Sequence, residues 1–292
     1  MHVRHSGEIV YRAGSDRIYR PTPAPEHRND EYDPAGFELL LNMQEQHFWY
    51  RGRHRFLWHS VRKWAQALQF RFGKLDAIDL GGGCGGWIRY LNQRATGWFD
   101  EIALGDSSLD ALELARPVVG ADVQRYQVDL LRLGWQERWH LVFMLDVLEH
   151  ISEDVEALRQ VAASLRPAGF LFVTVPALRQ FWSYNDELGH HVRRYHRHDF
   201  VALAEKCGLR LCDARYFMFF LSPIYYLSRL RRPPLARMNA AERQSFLGTT
   251  HHVPSAPWNQ LLSVVAGAET PIGHFVSFPW GTSLLGVFQK AQ

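Results

Sequence analysis

With 292 residues, 47% of them hydrophobic and 22% charged, the chain has a globular make-up and is long enough for one large α/β domain with an elaboration. A formal net charge of only +3 argues against a dedicated nucleic-acid surface, although arginines cluster locally. Cys84, Cys207 and Cys212 show no metal-ligand spacing and Met1–Glu8 has no apolar signal region, so reduced thiols in a cytoplasmic protein are expected.

Residues 1 to about 32 are polar and turn-rich, with Pro21, Pro23 and Pro25, and read as an extended arm. Asp33-Pro34 is an N-cap and N1 pair for a helix through Phe37, Leu40, Leu41 and Met43. The string His47-Phe48-Trp49-Tyr50-Arg51-Gly52-Arg53 interrupts that helix or joins it to a second one over Phe56–Phe70.

The apolar stretch Leu75–Ile78 then runs into Asp79-Leu80-Gly81-Gly82-Gly83-Cys84-Gly85-Gly86. This is a buried strand breaking into a glycine turn, with a helix from Gly86-Trp87-Ile88. Glycines at 81, 83 and 85 allow positive φ and put no Cβ between backbone and ligand. Gly81-x-Gly83-x-x-Gly86 also satisfies the dinucleotide fingerprint of dehydrogenases. Asp79, two residues ahead of the first glycine, and the G-x-G-x-G continuation instead resemble the first motif of class I S-adenosylmethionine (SAM)-dependent methyltransferases. That ligand carries an ammonium and no pyrophosphate, so an acid at the strand end suits it.

Glu101–Gly105 is a second strand, ending in Asp106-Ser107-Ser108. An acid there can accept from both ribose hydroxyls of SAM or of NAD, or simply cap the helix that follows. Val123–Val128 is a third strand, and Asp129-Leu130 at its end could face an adenine amino group. His140–Leu145 is a fourth, running into Asp146-Val147-Leu148-Glu149-His150, and Ser152 with Glu153 and Asp154 begins an amphipathic helix closed by Pro167, Ala168 and Gly169. Phe170–Pro176 is the fifth strand.

The succession from Leu145 to Pro176 resembles class I methyltransferases, in particular their quinol-methylase-like, small-molecule members. The resemblance spans about residues 47–215 and the last strand near Thr282–Gln289. It implies a Rossmann-like α/β fold with a mostly parallel seven-stranded sheet ordered 3-2-1-4-5-7-6, and SAM as cofactor. The positions it assigns to SAM are Arg51 (or Arg53) for the methionine carboxylate, Asp79, Gly81, Gly83, Gly85, Asp106, Ser107, Asp129, Leu130, Leu145 and Asp146. Guanidinium matches a carboxylate bidentately.

After the fifth strand, Leu178–Asp199 is a His- and Arg-rich loop, with Asp199 placed to cap the next helix. Its run Gly189-His190-His191-Val192-Arg193-Arg194-Tyr195 resembles a post-fifth-strand motif of quinol- and glycan-type methylases. His150 and His191 are the general-base candidates, with Tyr195 as an orienting group. Trp49, Glu149, Arg193 and Tyr225 are expected to meet the acceptor. The histidine spacing is not that of a zinc site. Asp146, Glu149 and His150 resemble the E-x-x-E-H metal ligands of some quinol O-methylases, with Asp for the first Glu, and no metal is assigned.

Leu209–Tyr216 and Gly281–Lys290 are the sixth and seventh strands. The roughly 60 residues between them, with a helix start at Ser222-Pro223, suit a substrate cap or an interfacial helix beside a greasy acceptor. The chain thus divides into an arm and helix (1–45), a SAM-binding domain (46–216), a cap (217–280) and a final core strand (281–292). The expected activity is methyl transfer to a hydroxyl of a quinol, glycolipid or secondary metabolite, a small-molecule or lipid-linked acceptor, with peripheral membrane contact left open. An NAD-linked oxidoreductase and a noncatalytic SAM-binding scaffold are the alternatives.

Overall fold

The structure is a computed structural model and describes residues 9–25, 35–229, 238–239, 242, 246 and 252–291. Asp33-Pro34 lies outside them. The centre of the molecule is a sheet whose strands β3 (Leu75–Leu80), β4 (Phe99–Asp106), β5 (Gln124–Gln127), β6 (Trp139–Leu145) and β7 (Leu165–Pro176) run parallel. β9 (Ser283–Lys290) inserts antiparallel between β7 and β8 (Leu209–Phe217). Read along the sheet these seven strands follow the order β5-β4-β3-β6-β7-β9-β8, the expected 3-2-1-4-5-7-6. Every residue of β6 is buried, as a strand covered on both faces requires.

Two more strands lengthen the sheet to nine. The segment read as an extended arm is a hairpin, β1 (Val10–Ala13) and β2 (Ile18–Thr22), and β2 pairs parallel with β5. Ile18 is fully buried, Tyr19 stacks on Tyr126 and Tyr11 on Trp135, each at 4.8 Å. Arg125 donates to the Asp16 carbonyl at 2.9 Å. The hairpin is held by an apolar and aromatic face that its own polar composition does not announce.

Helices cover both faces. On one side lie α2 (Phe48–Phe72) and α3 (Gly86–Arg94), with Leu57, Val61, Trp87 and Leu91 packed against Leu141, Phe143 and Phe172. On the other, α5 (Asp154–Ser164) and α7 (Arg197–Cys207) place Leu158, Val161, Phe200 and Leu203 over Val142, Met144 and Val173. α1 (Ala35–Met43) and α4 (Leu109–Val119) flank the glycine turn. Two boundaries differ from expectation. α5 stops at Ser164 and the chain enters β7 at once, so Pro167–Gly169 lies within the strand, with Ala168 at φ 64°. α7 is capped by His196, and Asp199 sits three residues inside, its carboxylate accepting the His196 N–H at 2.7 Å.

Between α5 and α7 lies the short α6 (Tyr184–Leu188). Between β8 and β9 lie α8 (Ser222–Arg229) and a twenty-residue α9 (Ala256–Phe275), which packs along α2 and against β8. Among the described residues no helix is long and apolar enough to cross a membrane.

Candidate active site

A cavity of about 660 Å³ opens at the carboxyl ends of β3, β4, β6 and β7, where open α/β sheets bind their ligands. It is walled by the glycine turn, the start of α2, the segment from Leu145 to Ser152, the loop around α6, and α8.

At one end is the glycine turn. Gly81 has φ 70°, and a Cβ there would meet Val147 at 2.6 Å. Gly81 and Gly83 both border the cavity, so backbone and ligand can approach closely. Gly85 does not border it. Its missing Cβ makes room for Val119 of α4, 2.2 Å from where a Cβ would stand, so its role is packing of α3 on α4 and not cofactor contact. The Asp106 carboxylate accepts the N–H of Gly83 and of Ser108, both at 2.9 Å, and so ties the turn to the end of β4. Ser108, not Asp106, caps α4, its side chain accepting from Ala111. Asp106, Ser107, Asp129 and Leu130 lie together on the wall.

Next along the cavity is Asp79, only 1% exposed, whose Oδ1 is buried with no hydrogen-bond partner. Burial pushes its carboxyl up to about 8, with Arg53 opposing and Asp106 reinforcing. An unpartnered buried carboxylate oxygen beside a glycine cradle fits the ammonium end of SAM, and Asp106 fits its ribose. Arg53 is buried, pairs with Asp146, and lies over the rings of Trp49 and Tyr50 at 5.0 and 5.2 Å. Arg51 is exposed and outside the cavity wall. Two positions apart on a helix are about 200° apart in azimuth, so only one of the pair can face inward. Arg53 is that one, the alternative named beside Arg51, and it lines the cavity. Leu145 and Asp146 border the same space. Asp146 is held at φ 58°, its N–H donating to the Thr174 carbonyl at 2.8 Å. A non-glycine residue in that region is strained and fixed by its surroundings.

The far end holds Glu149, His150 and His191. Glu149 is fully buried and neither of its carboxylate oxygens has a partner. Desolvation, reinforced by Asp146, raises its pKa well above the usual carboxylate range and so favours the protonated form. His150 Nδ1 is likewise unpartnered. Burial, reinforced by His191, lowers its pKa to about 3 and keeps the ring neutral. The two rings meet edge to face at 4.7 Å. Among the described residues, Glu149, His150 and His191 bring one ligand atom each within 4.8 Å of one another, a spacing that Asp146 does not share.

Behind His191 is Asp186, which with Glu187 is the pairing partner that the sequence offers this histidine, joined here by Arg194. Asp186 is buried, lies 3.0 Å from His191 Nδ1, and accepts from Arg194 Nε at 2.7 Å and Nη2 at 3.0 Å. Burial works against its charge, but those hydrogen bonds win and hold its carboxyl at about 2. Arg194 also donates to the Tyr225 hydroxyl at 3.2 Å, so Tyr225 of α8 borders the cavity through it. The signal in the sequence was faint: a Ser183-x-x-Asp186 capping box on a five-residue helix.

Two expected positions fall outside. Tyr195 is buried behind the wall, 2.9 Å from Asp154 and 3.2 Å from the Leu148 carbonyl, in a β-bridge with Ala177. It stitches α5 to the loop and does not border the cavity. Arg193 pairs with Asp154 and donates to the Ser152 carbonyl at 2.8 Å, so its neighbour Arg194 is the one that faces the site. Trp49 does border the cavity.

No curated protein matches the chain. Among solved structures, a phosphoethanolamine N-methyltransferase 2 of Haemonchus contortus, in complex with phosphomonomethylethanolamine and S-adenosylhomocysteine, aligns with a TM-score of 0.52 at 16% identity, covering 94% of this chain and 63% of that one. A candidate methyltransferase of Bacillus halodurans C-125 aligns at 0.48 and 15% identity, covering 78% of this chain and 98% of that one. A candidate sarcosine dimethylglycine methyltransferase of Galdieria sulphuraria aligns at 0.49 and 14%, covering 80% and 86%. At such identities the likeness speaks to fold alone. A family model described as a methyltransferase domain matches residues 44–214, which sets aside the dinucleotide oxidoreductase. With that match over more than half of its length, the chain belongs to the methyltransferase domain family and is an α/β enzyme whose cofactor is SAM.

Proposed function

We propose that the enzyme methylates a hydroxyl of a small or amphiphilic acceptor, such as a quinol, a glycolipid or a secondary metabolite. The observation that carries this reading is the set of unpartnered buried groups at the far end of the cavity: both oxygens of Glu149 and Nδ1 of His150. Such groups cost about 1–3 kcal/mol each when left unsatisfied, and a hydroxyl-bearing ligand would relieve that.

Bound SAM supplies an already electrophilic methyl, so most of what the protein adds is alignment and exclusion of water. In this reading Asp79, Asp106 and Arg53 fix the cofactor. Glu149, protonated, donates to one acceptor oxygen. Asp186 accepts from His191 Nδ1 and leaves Nε2 with its lone pair free to take the acceptor's proton, the arrangement by which a carboxylate selects an imidazole tautomer. His150, neutral, is a second acceptor beside it. The exposed apolar side chains of α8, Ile224, Tyr226 and Leu227, suit a greasy partner.

The test is a calorimetric titration with SAM, S-adenosylhomocysteine and NADH, followed by a turnover screen over quinols, glycolipids and phenols. Micromolar binding of the first two, lost in Asp106→Ala, with turnover lost in His191→Gln, supports the reading. Cofactor binding with no methyl transfer to any hydroxyl acceptor would leave a scaffold.

A further inference from the structure

α9 is inside out. The residues it buries are Asn259, Ser263, Ala266, Glu269, Thr270 and Gly273. Those it exposes include Trp258 (63%), Leu261 (52%), Val264 (67%), Ile272 (43%) and Phe275 (92%). The spacing 258, 261, 264, 268, 272, 275 makes one apolar stripe the length of the helix, with no charged side chain on it.

The polar side is buried because it is the attachment. Asn259 accepts the Phe48 N–H at 2.9 Å and donates to the Gln46 carbonyl at 2.8 Å. Arg55 of α2 donates to the carbonyl and the hydroxyl of Ser263, both at 2.8 Å. Glu269 accepts the Phe220 N–H at 3.1 Å, just ahead of α8. Hydrogen bonding thus docks α9 on the core and leaves its apolar face outward. An exposed stripe of this kind marks an interaction surface.

We infer that α8 and α9 form the face by which this enzyme docks on an anionic lipid surface. Two observations select that occupant. The first is charge. α2, on which α9 lies, has no acid at all and exposes Arg51, Arg62, Lys63 and Arg71, and by sequence the chain from Ala214 to the C-terminus carries seven Lys and Arg against two Glu. An apolar stripe beside a cationic helix matches the acyl and headgroup layers of an anionic bilayer. A second copy of the chain would bring these like charges together. The second is continuity with the cavity. Ile224 is 60% exposed yet borders the cavity, Leu262 of α9 does too, and Trp280 donates to Ser222 at 3.2 Å, tying the α9 exit to the start of α8. The docked face therefore adjoins the mouth through which an amphiphilic acceptor would leave the bilayer. That last consequence rests on the proposed acceptor site; the docking itself does not.

The experiment is co-sedimentation of the full chain with vesicles of phosphatidylcholine alone and of phosphatidylcholine mixed with phosphatidylglycerol. The expected result is pelleting with the anionic vesicles, weakened by added salt. Trp258→Ser, Leu261→Ser, Val264→Ser and Phe275→Ser combined should reduce partitioning at least about a hundredfold. Binding of S-adenosylhomocysteine by the same variant should be unchanged, which separates failure of docking from failure of the active site. Wild-type protein remaining in the supernatant with both vesicle types overturns the inference. So does a concentration-dependent dimer in sedimentation velocity that the serine variant abolishes without any vesicle binding, because the stripe is then a contact between copies.

Discussion

His191 Nδ1 lies 3.0 Å from Asp186 Oδ1, and the same buried carboxylate is gripped by Arg194 through two nitrogens. One group thereby sets the tautomer of a cavity histidine and neutralises a buried guanidinium. The two tasks can be separated by mutation.

Asp186→Asn keeps the shape but weakens both interactions. Turnover should fall about a hundredfold with little change in S-adenosylhomocysteine affinity, because the cofactor end is untouched. The protein should also lose about 3–5 kcal/mol in urea unfolding, since Arg194 is left buried without its anion. His191→Gln should reproduce the first loss and not the second. If both variants lose stability equally, the dyad reading fails.

Asp186 also predicts a stability profile. Its folded value, about 2, lies below the unfolded value of 3.8. The folded state therefore favours the ionised form, and the stabilisation is complete above pH 3.8 and lost as pH falls towards 2. The amount is about 2 kcal/mol. His150, lowered from 6.5 to about 3, acts in the same sense, with stability declining as pH falls below 6.5. Denaturant midpoints should decline as pH falls from 3.8 towards 2, less steeply in Asp186→Asn.

Cofactor binding should release a proton near neutral pH. Asp79 is pushed up to about 8 in the free protein and must ionise to receive an ammonium. Calorimetry of S-adenosylhomocysteine binding at pH 7, in buffers of different ionisation enthalpy, should report close to one proton released by wild type and none by Asp79→Asn. Because a raised pKa makes ionisation costly to the fold, the contribution of Asp79 is lost as pH rises from 3.8 through 8, opposite in sense to that of His150, so Asp79→Asn should steepen the loss of stability as pH falls from 7 to 3.8.

Arg53→Ala should weaken S-adenosylhomocysteine binding at least about tenfold, and Arg51→Ala should leave it alone. Arg53→Lys should not restore affinity, because an ammonium lacks the planar fork that meets a carboxylate and stacks on Trp49. Equal effects at 51 and 53 would place the carboxylate elsewhere.

Tyr195→Phe should cost about 1–3 kcal/mol of stability, since Asp154 and the Leu148 carbonyl lose a buried donor. The pH profile of turnover should keep its shape. A displaced profile would return Tyr195 to the chemistry.

The sequence by itself determined the seven core strands, their order and the cofactor. Buried parallel strands are continuous apolar runs and each ends in a marked residue, Asp79, Asp106, Asp129 or Asp146, so local pattern and ligand chemistry coincide there. Only the tertiary structure decided which of two neighbours faces inward: Arg53 over Arg51, and Arg194 over Arg193. Periodicity resolves that choice poorly in an aromatic-rich helix such as α2, and not at all in the loop before α7. It also brought Asp186 to His191, turned Gly85 and Tyr195 from ligand contacts into packing, and folded the polar arm into a hairpin through Ile18 and Tyr19. α9 shows the limit most plainly. The sequence reads its segment only as part of a cap, and its apolar residues face outward because hydrogen bonds to α2 and to the chain before α8 hold its polar side; the pairing of distant polar groups has no period in the chain.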